Sequence, residues 1–416
     1  MVGVPLGMGR RARLSAIGAL AALAAACAKP RAPAPAPRAD SAAARLDSIA
    51  RAERTARAAA DSIGRDRDRE RDRARRASAL VRICAGGDVT LGTNLDTSWT
   101  KHASRTLKRT IIALPSPDSL LMPLRPLVAD AEVVLLNVEG AIGEGDTTVD
   151  KCAGSTGGCY ALRMPVSAAQ AIRRLNARAL VVANLANNHA RDAGAEGLAE
   201  TVRALRDAGV AVTGLDTLAT VVATPGGDSV AFLGFSTSGG VTDVRDLDAV
   251  RRHVARAAAA NRRVVVTMHL GAEGVTAQRT RDSTERFMNG TRGNPVAFGR
   301  AATEAGAQLV IGHGPHVMRA LEWRKDALVL YSLGNLVTYG PFSHREPMRR
   351  GAIACMAVDG RGAIHDPVLR ATMQLAPGHV RADRAQRALR LADSLSTLDF
   401  PETGARIARD GTVRRR

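Results

Sequence analysis

The stretch Gln308-Leu309-Val310-Ile311-Gly312-His313-Gly314-Pro315-His316 is a short apolar run that breaks off into two histidines. Short runs rich in Val, Ile and Leu read as buried strands. Gly314 and Pro315 keep the following segment from being helical. A loop of this kind can turn both rings toward one point, and imidazole is the commonest metal ligand near neutral pH. The same grammar recurs on both sides. Apolar runs at residues 80–85, 132–136, 179–183 and 264–268 lead into Gly87-Asp88, Asn137-Val138-Glu139-Gly140, Asn187-Asn188-His189 and His269. In α/β sheets, ligands bind beyond the carboxyl ends of the strands. Strands that each end in a metal-capable side chain therefore predict an α/β domain with a metal site at one shared end.

Strands and helices alternate between these runs. Leu198, Val202 and Leu205 fall on one helical face within residues 194–208, and Gly209 stops that helix. Residues 229–235 and 328–331 read as further strands, and 296–305 as a helix. Residues 353–358 and 364–373 flank Asp359-Gly360-Arg361-Gly362, a hairpin signature, so the sheets are mixed. From 377 to 416 the pattern predicts an Arg-rich amphipathic helix and a basic tail, peripheral to a main domain at 80–376.

Composition narrows the function classes. The chain has 416 residues, 45% hydrophobic but only 3% aromatic, and a formal net charge of +19. Residues 1–80 hold 17 Arg and Lys against 8 Asp and Glu, so much of that charge precedes the domain. With few aromatics to stack bases and no dense basic block, nucleic acid is not an expected partner. Attraction to anionic lipid or an acidic polymer remains open.

Residues 1–27 read as an export signal. Arg10, Arg11 and Arg13 precede an apolar stretch at 14–26, and Ala24-Ala25-Ala26-Cys27 ends it. The expectation is a lipoprotein with Cys27 lipidated; ordinary signal cleavage and an uncleaved anchor are the alternatives. Residues 28–79 read as an Ala/Pro/Arg-rich tether, part helical or disordered, because Leu46, Ile49 and Ile63 are too few for a core-facing stripe. This places the protein outside the cytoplasm, anchored in the cell envelope on a periplasmic or outer face. Cysteine usage agrees, since Cys152 and Cys159 flank a six-residue flexible loop that a disulfide could close in an oxidising compartment. Cys84 and Cys355 lie in apolar runs and are expected to be buried thiols.

The residue types set the chemistry. Asp88 and Glu139 offer hard oxygen ligands, and His269, His313 and His316 add imidazoles, a set that suits Mn, Zn, Fe or Mg. In Asn187-Asn188-His189 an amide oxygen can ligate a metal while His189 gives a proton to a leaving group; Asn also caps helices. Asn137, Asn187, Glu273 in His269-Leu270-Gly271-Ala272-Glu273, and Asn335 in Ser332-Leu333-Gly334-Asn335 are candidates for contact with substrate. The alternative for Asn335 is to satisfy backbone in its turn.

In order, these motifs, with Gly87-Asp88-Val89-Thr90-Leu91-Gly92 and Tyr331-Ser332-Leu333-Gly334-Asn335, resemble those of the bacterial CapA/PgsA capsule synthesis family, linked to poly-γ-glutamate biosynthesis or export. The resemblance covers residues 81–375. It implies a four-layer α/β/β/α sandwich similar to the calcineurin-like metallophosphoesterases, holding one or two divalent ions. It also implies roles: Asp88 as first metal aspartate, Glu139 at the bridging position, Asn188 as ligand, His189 as proton donor with Asp88 in the catalytic set, and His269, His313 and His316 as imidazole ligands. Thr90 stands where phosphoesterases carry His, and Leu270 where Trp is common. Two functions are compatible with this: metal-dependent hydrolysis or transfer on a capsule polymer, or a non-catalytic scaffold for the polymer or its synthase complex.

Overall fold

The computed structural model describes residues 40–91, 115–144, 160–238, 242–340 and 342–416, with backbone only at 40–42 and 72–78. The export signal with Cys27 and the Cys152–Cys159 loop lie outside these residues. The chain divides into a unit ending at Asp68 and a second one from Arg69 to Arg416. In the first, helix α1 (Asp40–Ser78) leaves Leu46, Ile49 and Ile63 exposed, as a helix without an apolar stripe must. No helix among the described residues is long and apolar enough to cross a membrane.

The second unit is built on two mixed sheets. The first runs β18 (His379–Ala382), β17 (Ile364–Leu375), β16 (Arg350–Val358), β1 (Val81–Leu91), β2 (Val133–Val138), β5 (Leu180–Asn184), β6 (Ala211–Thr213), with β15 (Asn335–Tyr339) also paired to β1. The second runs β13 (Leu321–Arg324), β14 (Ala327–Leu330), β12 (Leu309–His313), β9 (Val264–His269), β8 (Ser229–Ser236), β7 (Thr220–Ala223). β1, β2, β5 and β6 are parallel neighbours, as are β8, β9, β12 and β14, so their carboxyl ends align. Short strand pairs β3 (Ala141–Ile142) with β4 (Arg163–Met164), β10 (Arg286–Phe287) with β11 (Gly290–Thr291), and β19 (Arg406–Ile407) with β20 (Val413–Arg414) complete the set.

Three apolar layers separate four structural ones. Between the sheets pack Ile83, Val133, Val182 and Ala354 of the first against Phe232, Val265, Ile311 and Leu330 of the second. On the outer face of the first sheet, Val134, Val181 and Leu336 meet α2 (Pro117–Leu121), α3 (Ser167–Arg173) and α4 (Gly194–Asp207) through Leu121, Ile172 and Leu205. On the outer face of the second, Leu233, Val266 and Val310 meet α5 (Leu247–Ala260) and α6 (Pro295–Glu304) through Val254 and Phe298. This is the α/β/β/α sandwich that the family resemblance implies, with the strands and helices read from the sequence in place.

Two expectations change. Cys84 and Cys355 are opposite each other in the antiparallel β1–β16 ladder and form a disulfide rather than two thiols. Their separation of 271 residues hides that register from the sequence. Residues 377–416 are also not peripheral. β18 extends the first sheet, and α7 (Arg387–Asp399) buries Ala388, Leu389 and Ala392 in the inter-sheet core with Ile407 and Val413. The apolar face of that helix covers sheet area left open by the shorter second sheet, which its charged face disguises in the sequence.

Candidate metal centre

Strand parity aims the site. In β9 and β12, Val265, Leu309 and Ile311 point into the inter-sheet layer, so His269 and His313, an even number of residues on, point there too. In β2, Val133 and Leu135 do likewise, followed by Asn137 and Glu139. β1 would break the pattern, since Ile83 and Ala85 share that face and Asp88 is an odd number further on. The β1–β2 register shifts between Ala85 and Asp88, so that Ala85 pairs Leu135 and Asp88 pairs Asn137. One extra residue in β1 flips Asp88 onto the inter-sheet face. Gly86 and Gly87 lie in this shift, and a Cβ on Gly87 would sit 1.9 Å from the Gly334 carbonyl oxygen.

Asp88, Glu139 and His316 each bring one ligand atom to within 4.8 Å of the others. His316 Nδ1 is 3.0 Å from Asp88 Oδ2, and its Nε2 is 3.8 Å from Glu139 Oε1. His313 Nδ1 stands 3.4 Å from Asp88 Oδ1, and His269 Nε2 stands 3.6 Å from Glu139 Oε1. Glu273 Oε2 lies 3.7 Å from His316 Nε2, while Glu273 Oε1 pairs with Arg292 at 2.7 Å. Two backbone features bring His316 round. Gly314 has φ +105°, where a Cβ would crowd the His269 ring at 3.2 Å, and His316 itself has φ +60°. A non-glycine residue held there stores about 1 kcal/mol or more of strain, which the Asp88 and Asn335 contacts of its ring offset.

Burial and charge interact strongly. Burial would push the Asp88 carboxyl up, but hydrogen bonds and charge from His313 and His316 hold it well below the ordinary range. Burial and the nearby Asp88 raise Glu139 to about 8. Burial would lower His316, yet Glu139 and Asp88 together raise it to about 10. Burial, then the Arg292 charge, keep His269 well below the ordinary histidine range and so neutral. Glu139 Oε1, His269 Nε2 and both ring nitrogens of His313 are buried without a hydrogen-bond partner among the described residues. Buried polar atoms are rarely left so. The mix of carboxylate oxygen and neutral imidazole nitrogen is a set that fits a divalent transition metal.

The asparagines divide into framework and pocket. Asn137 Nδ2 donates to Asp88 Oδ1 at 2.8 Å, and its Oδ1 accepts from Asn184 and Asn187 at 2.9 and 3.2 Å. Asn187 also donates to the Val138 carbonyl and accepts from the His189 amide. Asn137 and Asn187, expected at the substrate, are thus buried behind the acids and hold Asp88 and the His189 turn in place. Asn188 is half-buried in the turn between them. Asn335 and Glu273 do line a cavity of about 210 Å³, with Glu139, His189, His316 and Thr90. Tyr160, Leu162, Phe287, Phe342 and Met348 add apolar surface to the same lining.

Sequence reasoning missed Asp192, Asn184 and Arg292. Asp192 Oδ2 lies 2.6 Å from His189 Nδ1 and accepts from the Leu162 amide at 2.7 Å. The spacing of three from His189 was a readable signal for it. Asn184, on the face of Val182 at the end of β5, was readable by parity. Arg292 follows the small β10–β11 pair and had no such signal.

The bacterial capsule synthesis protein PGA_cap family matches residues 82–339. The chain is 27% identical over 187 residues to the capsule biosynthesis protein CapA of Bacillus anthracis, a stretch covering 40% of this chain and 42% of that one. It is 26% identical over 184 residues to the PGA biosynthesis protein CapA of Bacillus subtilis (strain 168), covering 40% and 45%. The match thus spans less than half the length of either relative. Among solved structures it is similar to a phosphatase from Mycoplasma pneumoniae, at 12% identity and TM-score 0.42, over 75% of this chain and 97% of that one. It is also similar to a 5'-nucleotidase precursor from Thermus thermophilus, at 13% identity and TM-score 0.35, over 78% and 60%. The family match runs from the second residue of β1 to the last of β15 and so contains every candidate ligand; the chain belongs to the bacterial capsule synthesis protein PGA_cap family.

Proposed function

We propose that this protein is an exported, envelope-anchored enzyme that binds one or two divalent ions and catalyses hydrolysis or transfer on an anionic capsule polymer of the poly-γ-glutamate type. The observation that carries the metal reading is the convergence of Asp88, Glu139, His269, His313 and His316 from both sheets, with buried ligand atoms that have no hydrogen-bond partner among the described residues. Asp88, Glu139, His313, His316 and His269 would hold the metal. When bound, such an ion lowers the pKa of water and polarises a scissile group.

The protein's own groups supply the rest. His189 lines the cavity. Its Nδ1 engages the buried Asp192 carboxylate, which fixes the ring and supports a positive charge on it. Nε2 is then the atom from which a proton would pass to the leaving group. Asn335 orients His316 through its Oδ1 and forms part of the cavity wall. The relatives named for capsule and PGA biosynthesis support the polymer as substrate, and residues 1–27 support export.

One observation favours the scaffold alternative. Thr90, where phosphoesterases carry His, bonds the Glu139 carbonyl at 2.7 Å and belongs to the framework. Purified protein analysed for metal, followed by His189→Ala assayed for polymer cleavage or transfer, decides between the two. Bound metal and a loss of about 100-fold or more in rate at unchanged metal content support catalysis. Bound metal with full polymer output in His189→Ala establishes the scaffold.

A further inference from the structure

We infer that an arginine-lined cavity beside the metal pocket is a second binding site, which holds a carboxylate-bearing polymer while one of its bonds is presented at the metal centre. The cavity, of about 680 Å³, is lined by Arg350, Arg381, Arg384 and Arg387, with Asp383 the single acid, and by Met373, Ala382 and Ala385. Arg350 is buried and already neutralised, with Asp383 at 2.8 Å and with Glu346. The other three guanidinium groups are exposed and form no hydrogen bond or ion pair among the described residues. Like charges gathered without an acid partner repel one another. A guanidinium fork matches a carboxylate in two-point geometry, so an anion relieves that repulsion.

The fold places this cavity at the metal end. β16 is antiparallel to β1, with Gly86 opposite Ile353, so Arg350 lies toward the end of β1 that carries Asp88. Arg350, Met373 and Arg381 form one register row across β16, β17 and β18 and therefore share a face. Arg387 opens α7, whose first amide donates to Asp383, and the positive end of that helix adds to the field. Met348 lines the metal pocket and Arg350 lines the arginine cavity, two residues apart, so their Cα atoms are at most about 7.6 Å apart. Asn335, in contact with His316, bonds the Met348 carbonyl at 3.4 Å. Among the described residues the lining of the metal pocket includes no Arg or Lys, and the nearby Arg292 is paired with Glu273. Negative charge along a substrate would thus be bound outside the pocket where the bond is broken. A chain with repeated carboxylates can occupy both at once; a small monoanion cannot.

The identity of the polymer rests on the function proposed above. The test is binding of a fluorescein-labelled poly-γ-glutamate oligomer, followed by anisotropy in chelator, to the parent and to two triple variants of the whole chain. Arg381→Ala/Arg384→Ala/Arg387→Ala alters the cavity. Arg203→Ala/Arg252→Ala/Arg262→Ala removes the same charge from exposed arginines elsewhere whose guanidinium groups form no hydrogen bond or ion pair among the described residues. The inference requires about a tenfold or larger weakening for the cavity variant and about twofold or less for the control. Equal losses, or none in the cavity variant, overturn it. So does an equal cavity-dependent affinity for a single-stranded oligonucleotide of matching charge, which would make the site indifferent to carboxylates. Should the triple variant lose its melting transition, Arg384→Gln in the loop carries the test with an expected loss of about threefold. Metal analysis is independent: protein without metal but with cavity-dependent polymer binding removes the catalytic reading and leaves this one, and metal-loaded protein with an unaltered cavity variant does the reverse.

Discussion

The two sheets contribute opposite halves of the metal centre. The first delivers the carboxylates, Asp88 from β1 and Glu139 just past β2. The second delivers the imidazoles, His269 from β9, His313 from β12 and His316 from the loop that follows. They also differ in how well their groups are supported. Asp88 is held by Asn137, which is held by Asn184 and Asn187, a chain of amides reaching back into the first sheet. Of the imidazole side, His269 Nε2 and both nitrogens of His313 lack hydrogen-bond partners among the described residues. Asp88 is thus braced from behind, while Glu139 Oε1 shares with the His269 and His313 rings the lack of a hydrogen-bond partner among the described residues. Each sheet buries groups that would be too costly alone, and each is made tolerable by its neighbour. The cluster therefore belongs to the packing of the two sheets and also tests it.

Breaking the acid side should have the largest effect. Asp88→Ala removes the hydrogen-bonded acid of His316 and the acid nearest His313, and leaves the buried His316 charge only its longer contacts with Glu139 and Glu273. Metal-free protein should lose about 3–5 kcal/mol in urea unfolding. His269→Ala removes a neutral ring with no close hydrogen-bonded acid and should cost about 1–3 kcal/mol. Both variants should lose bound metal. Equal stability losses would mean that the difference in bracing between the two sheets has no energetic content.

A second asymmetry is covalent. The Cys84–Cys355 disulfide staples β1 to β16, a few residues before Asp88, and the second sheet has no counterpart among the described residues. The loop it closes contains the whole second sheet and β2, β5, β6 and β15 of the first, with β17 and β18 outside it. The Cys84→Ala/Cys355→Ala pair should lower unfolding free energy by about 2–4 kcal/mol, and a reductant should do the same to the parent but not to the variant. If metal affinity falls along with stability, the staple also positions Asp88. If only stability falls, Asn137 suffices as the brace.

Much of this comparison is legible in the sequence. The apolar runs that end in Asp88, Glu139, His189, His269 and His313 announced parallel strands with a shared chemical end, because β propensity and burial are local properties. Three features could not be read in this way. The one-residue shift at Gly86-Gly87 that turns Asp88 inward depends on β15 approaching from 247 residues later. The Cys84–Cys355 pairing is a register across the chain's full span. Asn137 and Asn187 looked like substrate contacts because an amide at a strand end can serve either a ligand or a neighbouring loop, and only packing decides which. The C-terminal helix likewise follows an Arg-rich stretch, and the small side chains of its buried Ala388 and Ala392 did not mark it as a core helix.

The gentlest way to sharpen the comparison is to titrate it. In the metal-free protein Glu139 titrates near 8 against an ordinary 4.5, and His316 near 10 against 6.5. Both folded values lie above the unfolded ones. The stability each gives is complete below its unfolded value and is lost as pH rises, from 4.5 through 8 for Glu139 and from 6.5 through 10 for His316. Asp88 acts in the opposite sense: its folded value is depressed, so its contribution holds above 3.8 and is lost only in acid. Chelated protein should therefore weaken between about pH 6 and 9, by about 2 kcal/mol per unit where both groups titrate. A divalent ion competes with the same protons, so its stabilising effect should grow over that range. Melting curves at half-unit steps, with chelator and with excess Mn²⁺, read both slopes. A chelated curve that is flat across that range would mean that the acids of one sheet and the rings of the other do not share protons, and the charge complementarity between the sheets would be lost as the reason they close on one another.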